Sequence, residues 1–275
     1  MFKLRLITAT ILAVLFAFTL MLLSPEVFAS LIVLVVLLAG WEWTDLAGIN
    51  AKLGKLAYLI ILLLSMVIAS YFIGIHGEFN QQLSYQICLV IVVLWAIIFL
   101  WLQGYPSSAI LWSPQLIMCL LGLILLTSTW LALASIVSLE NGQWMLALAI
   151  TIVVLADLGG YMAGKLFGRH KLAPTISPGK TWEGFMGAII LEILLILLLK
   201  IIVPNADWFK LVFLVISVSL CSVIGDLFES MLKRHRGVKD SSSLLPGHGG
   251  VLDRLDGVMA ALPIFFVILI KASPF

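Results

Sequence analysis

The sequence predicts an all-α fold: a polytopic integral membrane helix bundle of about nine transmembrane helices, with a cytoplasmic N-terminus and an external C-terminus. Composition is the first reason. Of 275 residues, 63% are hydrophobic and only 11% charged, with a mean hydropathy of +1.19, far outside the range of a soluble globular domain. The second reason is segment length, since a bilayer core of about 30 Å takes roughly 20 apolar residues per helix. The third is the placement of lysine and arginine, which gather near the cytoplasmic ends of spans.

In chain order the apolar segments run Leu4 to Leu23, Val27 to Ala39, Leu56 to Ile75, Leu83 to Leu102, Pro114 to Leu139, Trp144 to Phe167, Phe185 to Val203, Trp208 to Met231 and Val251 to Ile270. The second is short, so it tilts little or crosses only with its flanks. Lys3 and Arg5 ahead of the first segment, with a small-residue site near Val27 to Ala29, allow a signal-peptide reading. The first run exceeds the roughly 7 to 15 residues of a signal core and a second apolar run follows at once, which favours a span. With the N-terminus inside, thirteen of the sixteen Lys and Arg residues lie on the cytoplasmic side, leaving Lys200, Lys210 and Lys271 outside. The longest polar intervals, Ala39 to Lys55, Gly168 to Glu183 and Lys233 to Gly250, also lie there. Chemistry on a water-soluble substrate is therefore expected from the cytoplasm. Cys88, Cys119 and Cys221 all fall within spans and read as small buried hydrophobes, not a disulfide framework or metal cluster. The chain divides into N-terminal helices, 1–140, and C-terminal helices, 141–275, which carry the candidate catalytic site.

Charge inside a span costs a few kcal/mol on insertion scales, so such residues are functional candidates. They are Asp157, Asp226, Glu229 and Glu192. Asp157 heads DLGGYMAGK, whose Gly159, Gly160 and Gly164 let backbones approach closely; its other reading is a cap or a hydrogen bond to a neighbouring helix. Asp226, Glu229, Ser230 and Lys233 share one helical face, a polar stripe that a structural salt bridge would explain only in part. Glu192 stands alone.

The stretch from Ser230 to Asp256 concentrates charge in this apolar chain. Lys233, Arg234, Arg236 and Lys239 form a basic run, Gly247, Gly249 and Gly250 surround His248, and Asp253 and Asp256 follow at i, i+3 on the last helix. Neighbouring carboxylates repel unless a proton or cation intervenes. Mg²⁺ suits them, because it prefers one or two carboxylates plus substrate phosphate oxygens. Acidic residues also complement a helix N-terminus, but that leaves the glycines and lysines unexplained. Ser177 to Gly184, SPGKTWEG, repeats the chemistry on a smaller scale: Ser177 and Pro178 start a turn, Lys180 and Thr181 can donate to phosphate, and Glu183 opens the next helix. The Walker spacing is absent, and a solvated linker is the plainer reading of this motif alone.

Ser230, Lys233, Arg234, Lys239, Asp240, Pro246, His248, Gly249, Gly250, Asp253, Arg254 and Asp256 stand at intervals that resemble the signature of the phosphatidate cytidylyltransferase (CDP-diacylglycerol synthase) family. SPGKTWEG, Asp157 and Asp226 also look like family features. The resemblance covers essentially the whole chain, with its specific motifs in the second half. It implies a Mg²⁺-dependent nucleotidyltransferase that converts CTP and phosphatidate to CDP-diacylglycerol and pyrophosphate in phospholipid biosynthesis. Phosphatidate carries an ionised phosphomonoester, so positioning and charge neutralisation dominate catalysis.

On this reading Asp226, Asp253, Asp256 and Lys233 are catalytic. Asp226, Asp253 and Asp256 hold one metal, or two, with Asp157 as a further candidate ligand. Lys180, Arg234 and Lys239 meet the triphosphate or the lipid phosphate with Lys233, Ser177 and Thr181 complete the substrate contacts, and His248, Gly249 and Gly250 line the nucleotide's approach. The partners are CTP, phosphatidic acid and the bilayer, without nucleic acid, and the glycine-bearing helices suggest a homodimer. The expected location is the cytoplasmic (inner) membrane of a bacterium. Two alternatives stay open: a nucleotidyltransferase for a related lipid phosphate, and an ion-coupled transporter. A transporter predicts related halves and midplane polar residues, whereas here the ionisable residues crowd towards one face.

Overall fold

The computed structural model describes residues 2–242, 244 and 249–274. Gly247 and His248 lie outside the described residues. The elements in order are α1 (Phe2–Leu22), α2 (Pro25–Leu46), α3 (Lys52–Ile73), α4 (Gln81–Gln103), α5 (Ala109–Trp112), α6 (Gln115–Val137), α7 (Gly142–Phe167), β1 (Lys171–Ala173), β2 (Ser177–Thr181), α8 (Trp182–Ile202), α9 (Trp208–Arg236) and α10 (Leu252–Ala272). Among the described residues eight helices, α2 to α4 and α6 to α10, are long and apolar enough to cross a bilayer, and α1 adds the shorter apolar stretch Ala13–Leu22. The protein is an all-α polytopic membrane protein, its only sheet among the described residues being the short β1–β2 pair.

Three boundaries differ from the sequence expectation. The short second segment becomes a full helix, because Pro25 starts it and Trp43 and Leu46 keep a buried apolar face well past Ala39. Most of the first polar interval is therefore helical, and it carries Glu42. The eighth segment runs beyond Met231 to Arg236. There Gly237, at φ +75°, ends it: the N–H of Gly237 reaches the Arg234 carbonyl at 3.1 Å and that of Val238 the Lys233 carbonyl at 3.0 Å, a left-handed helix terminus. Finally, Ser177–Pro178 does not start a turn. The turn lies at 174–176, and Ser177 already pairs with Ala173 in the antiparallel hairpin.

The chain forms two compact units. The first comprises Met1–Ser84, Ile110–Ala147 and Leu232–Leu255. Two indole N–H groups pin α2 to α6 within it, Trp43 Nε1 donating to the Met118 carbonyl at 2.8 Å and Trp130 Nε1 to the Ala29 carbonyl at 2.9 Å. Gly122 makes room for the first, since a Cβ there would overlap the Trp43 ring. Helix α3 closes on α6 through Ser65 and Thr127, whose hydroxyls lie 2.6 Å apart. Without water, such bonds hold helices that have little hydrophobic reason to associate in lipid.

The second unit comprises Tyr85–Ala109, Leu148–Met231 and Asp256–Phe275. In it α7 and α8 touch backbone to backbone, a Cβ on Gly159 overlapping Gly187 and Ala188. Gly159 and Gly187 thus serve packing inside one copy, whereas a Cβ on Gly160 would meet nothing within 4 Å. Trp95 of α4 meets Phe228 of α9 edge-on at 5.6 Å.

Trp43→Phe keeps the buried ring but loses the donor to Met118. It is expected to lower stability by about 1 kcal/mol, read as a lower melting temperature in detergent, and an unchanged melting temperature would remove this bond from the account of α2–α6 packing.

Candidate active site

Within the first unit the loop between α9 and α10 is tied down by two carboxylates. Lys233 Nζ meets Asp253 Oδ1 at 2.5 Å, both side chains almost wholly buried. Asp253 Oδ2 accepts from the Gly250 N–H at 2.7 Å, the Ser241 N–H at 3.1 Å and the Ser241 hydroxyl at 2.9 Å. Glu42, reaching over from α2, takes the other half of the loop. Its Oε1 accepts from the Ser242 hydroxyl at 2.6 Å and the Val251 N–H at 3.0 Å, and its Oε2 from the Leu252 N–H at 2.7 Å. Glu42 therefore caps the first turn of α10, satisfying N–H groups that have no partner within the helix. The Ser241 hydroxyl also lies 3.0 Å from Glu42 Oε2, and its single proton serves one carboxylate at a time.

The two glycines of the loop are sterically required. Gly249 has φ +79°, a conformation that disfavours side chains, and a Cβ on Gly250 would overlap Ser241 and Glu42.

The second unit holds a different cluster. Asp226 Oδ2 pairs with Lys180 Nζ at 2.5 Å, and its Oδ1 accepts from the Ser230 hydroxyl at 3.3 Å. Half-buried Asp256 lies within electrostatic reach of Asp226, Glu229 and Asp157, and its Oδ1 accepts from the Gly257 N–H at 2.6 Å. Gly225 lets α9 approach this turn of α10, because a Cβ there would overlap the Asp256 carbonyl oxygen. Four carboxylates thus gather in this unit, and Lys180 pairs with one of them, Asp226. Carboxylates this close repel unless protons or cations stand among them.

The hairpin explains how Lys180 arrives. Strand β2 extends SPGKT, and its end is fixed by Thr181, buried, whose hydroxyl accepts from the Gly184 N–H at 3.1 Å and so caps α8. Glu183 holds the other end of the hairpin, accepting from the Arg169 N–H at 3.0 Å and lying 2.6 Å from His170 Nδ1.

The candidate residues thus sort into two sets. Lys180, Asp226, Asp256 and Asp157 come together, joined by Glu229 and Ser230; Lys233, Asp253, Gly249 and Gly250 form the loop clasp. Ser177 sits half-buried in β2, and Arg234 and Lys239 are exposed. His248 lies outside the described residues. Glu192 is fully buried, with Ser219 of α9 beside it. Glu42, Ser241 and Ser242 are the members that sequence reasoning missed. Their one local signal was a carboxylate set between two tryptophans at the end of an apolar run.

Among the described residues no three His, Cys, Asp or Glu side chains converge on a ready-made metal position. The donor chemistry nonetheless fits Mg²⁺, which takes one or two carboxylates and completes its shell with water and substrate phosphate. Hard carboxylate oxygens gathered in one place are what the second cluster offers.

The chain matches the profile described as "Cytidylyltransferase family" over residues 3–271. It is 38% identical over 280 residues to a phosphatidate cytidylyltransferase of Pseudomonas aeruginosa, covering 99% of this chain and 98% of that protein. A phosphatidate cytidylyltransferase of Haemophilus influenzae is 33% identical, over 96% of this chain and 97% of its own. One from Staphylococcus saprophyticus is 45% identical over 133 residues, 48% of this chain and 51% of that protein.

Glu42→Gln retains the shape of the clasp but removes the charge from four donor contacts. Weakening charge-assisted bonds of this kind costs about 1.5–3 kcal/mol, so residues 237–242 and 249–251 of that loop should exchange amide hydrogen and yield to protease faster while the transmembrane helices stay protected. Unchanged protection of that loop would rule out Glu42 as its anchor.

Proposed function

The chain belongs to the cytidylyltransferase family, and from that premise we propose that it transfers CMP from CTP to phosphatidate, giving CDP-diacylglycerol and pyrophosphate. The observation that carries the reading is the gathering of Asp157, Asp226, Glu229 and Asp256 with Lys180 paired to Asp226, in a chain that matches a phosphatidate cytidylyltransferase over 99% of its length. A phosphate-transferring site needs this combination of oxygen donors for a metal and a mobile cation for phosphate.

The chemistry asks little of a general base. A phosphate oxygen of phosphatidate, already ionised near neutral pH, attacks the α-phosphorus of CTP; the new P–O–P bond forms as the α–β bridge breaks, and pyrophosphate leaves with the bridging oxygen. Mg²⁺, held by Asp226 and Asp256 with Asp157 or Glu229 beside them, would supply charge neutralisation for the phosphates. Lys180, tethered by Asp226, is placed to exchange a carboxylate for a phosphate oxygen. Exposed Arg234 and Lys239 offer charge to the triphosphate. Asp253 already has the Lys233 ammonium, so a metal there would compete with that ion pair; in this reading Asp253 and Lys233 fix the loop that carries Gly249 and Gly250. The acyl chains of the substrate stay in the bilayer, and the lysine and arginine distribution supports a site on the cytoplasmic face of the membrane, which in a bacterium is the inner membrane.

Purified protein given radiolabelled CTP, Mg²⁺ and phosphatidate should form a lipid-soluble cytidine product. EDTA should stop the reaction and excess Mg²⁺ restore it. Asp256→Asn and Asp226→Asn should each lower kcat by roughly 10²–10³-fold. Full activity in either variant would overturn its place at the metal, and failure to label any phosphatidate, diacyl or ether-linked, would overturn the activity itself.

A further inference from the structure

The first unit contains a cavity of about 290 Å³ that shares no residue with the clasp or the carboxylate cluster. Gly48, Trp112, Ser113, Gln115, His235 and Arg236 define its chemistry. Arg236 comes from the basic run at the end of α9, yet nothing in the reaction uses it. Its guanidinium lies over the backbone of Gly48, with Nη2 3.3 Å from where a Cβ would stand, and Gly48 has φ +81°, so the wall there is bare main chain. The Gln115 amide donates to the Gly48 carbonyl at 3.1 Å and holds that wall in place. His235 packs edge-on to buried Trp112 at 5.0 Å.

The lining carries donors and positive charge without a counterion. No Asp or Glu borders the cavity, and among the described residues no carboxylate pairs with Arg236. Asp45, the nearest acid along the chain from Gly48, is matched to Lys55 at 2.5 Å. A rigid guanidinium fork, an imidazole and a hydroxyl around one small space suit a tetrahedral oxyanion. The volume is at the lower end for ligand sites, enough for a head group and too small for a nucleoside triphosphate. Beside the lining residues in sequence stand Ile110, Leu111 and Leu116, 80%, 57% and 71% exposed, an apolar surface suited to acyl chains in a membrane protein. Basic pockets among transmembrane helix ends hold anionic lipid head groups for this reason.

We propose that this cavity is a second lipid site, binding the phosphate of an anionic phospholipid head group whose acyl chains run along the neighbouring apolar surface. The probe is dioctanoyl phosphatidylglycerol, with dioctanoyl phosphatidylcholine and inorganic phosphate as comparisons, on the full-length protein in neutral detergent without CTP. Native mass spectrometry should find phosphatidylglycerol retained in preference to phosphatidylcholine. Arg236→Gln should weaken phosphatidylglycerol binding about tenfold, the scale of one charge-assisted hydrogen bond, while phosphatidylcholine retention stays the same. Ser113→Glu, which puts an anion into the cavity, should do likewise and stands in if Arg236→Gln does not fold. Equal phosphatidylglycerol retention by the wild type and a folded variant would overturn the site. Displacement of the lipid by millimolar inorganic phosphate would overturn the lipid as occupant and assign the cavity to free phosphate. Because no nucleotide is present, neither result bears on the cytidylyl transfer reaction.

Discussion

A carboxylate withdrawn from water needs a proton, a cation or a set of N–H and O–H donors, and the two units of this chain meet that demand in different ways. In the first, Glu42 and Asp253 are enclosed by donors: backbone N–H groups at 250, 251 and 252, two serine hydroxyls and the Lys233 ammonium. Charge there has been converted into structure, holding a glycine-bearing loop and the first turn of α10. In the second, Asp157, Asp226, Glu229 and Asp256 gather within electrostatic reach of one another, and Lys180 pairs with Asp226. Carboxylates held this close repel unless a proton or cation stands among them, which is what makes the cluster a candidate cation site.

Close backbone approach is the condition for the second arrangement. Gly225 admits the Asp256 carbonyl, and on Gly257 a Cβ would meet Val153 and Ser222 at 3.3–3.4 Å. Larger residues at these positions would force α9 and α10 apart and separate Asp226 from Asp256. The hairpin works with them from outside the helices: by pairing Ser177 with Ala173 and Thr181 with Lys171, it fixes the course of the strand and with it the reach of Lys180. Small residues and a two-stranded turn thus do the positioning that a longer polar loop would do poorly.

Much of this was legible in the sequence. The nine apolar segments correspond to the nine long helices among the described residues, and the helical spacing of Asp226 and Ser230 does bring their side chains together. Glu42 was not legible, because the serines it clasps lie 199 and 200 residues further along the chain and no local pattern links them. The Lys180–Asp226 pair was hidden for a related reason: a glycine- and proline-bearing segment reads as a turn, and only its register against β1 reveals a strand. Asp253 and Asp256 share a spacing that suggests a shared ligand, yet Asp253 is met by Lys233 and Ser241 while Asp256 answers to Asp226, Glu229 and Asp157. Period alone cannot assign a carboxylate's partners when those partners come from distant helices.

The balance of charge also constrains how an anionic substrate can be handled. A polyphosphate brought to these four carboxylates would add repulsion to groups that already repel one another, and the low dielectric of a membrane interior makes that repulsion stronger. Lys180 alone cannot reverse the sign, since turning it towards phosphate strips Asp226 of its counterion. On the proposed reading a cation would accompany the phosphate, which would couple nucleotide and metal by electrostatics before any bond is broken. In the other unit Glu42 is met without a cation, by the Ser242 hydroxyl and the N–H groups of Val251 and Leu252, donors that stay with it, while Asp253 keeps the Lys233 ammonium.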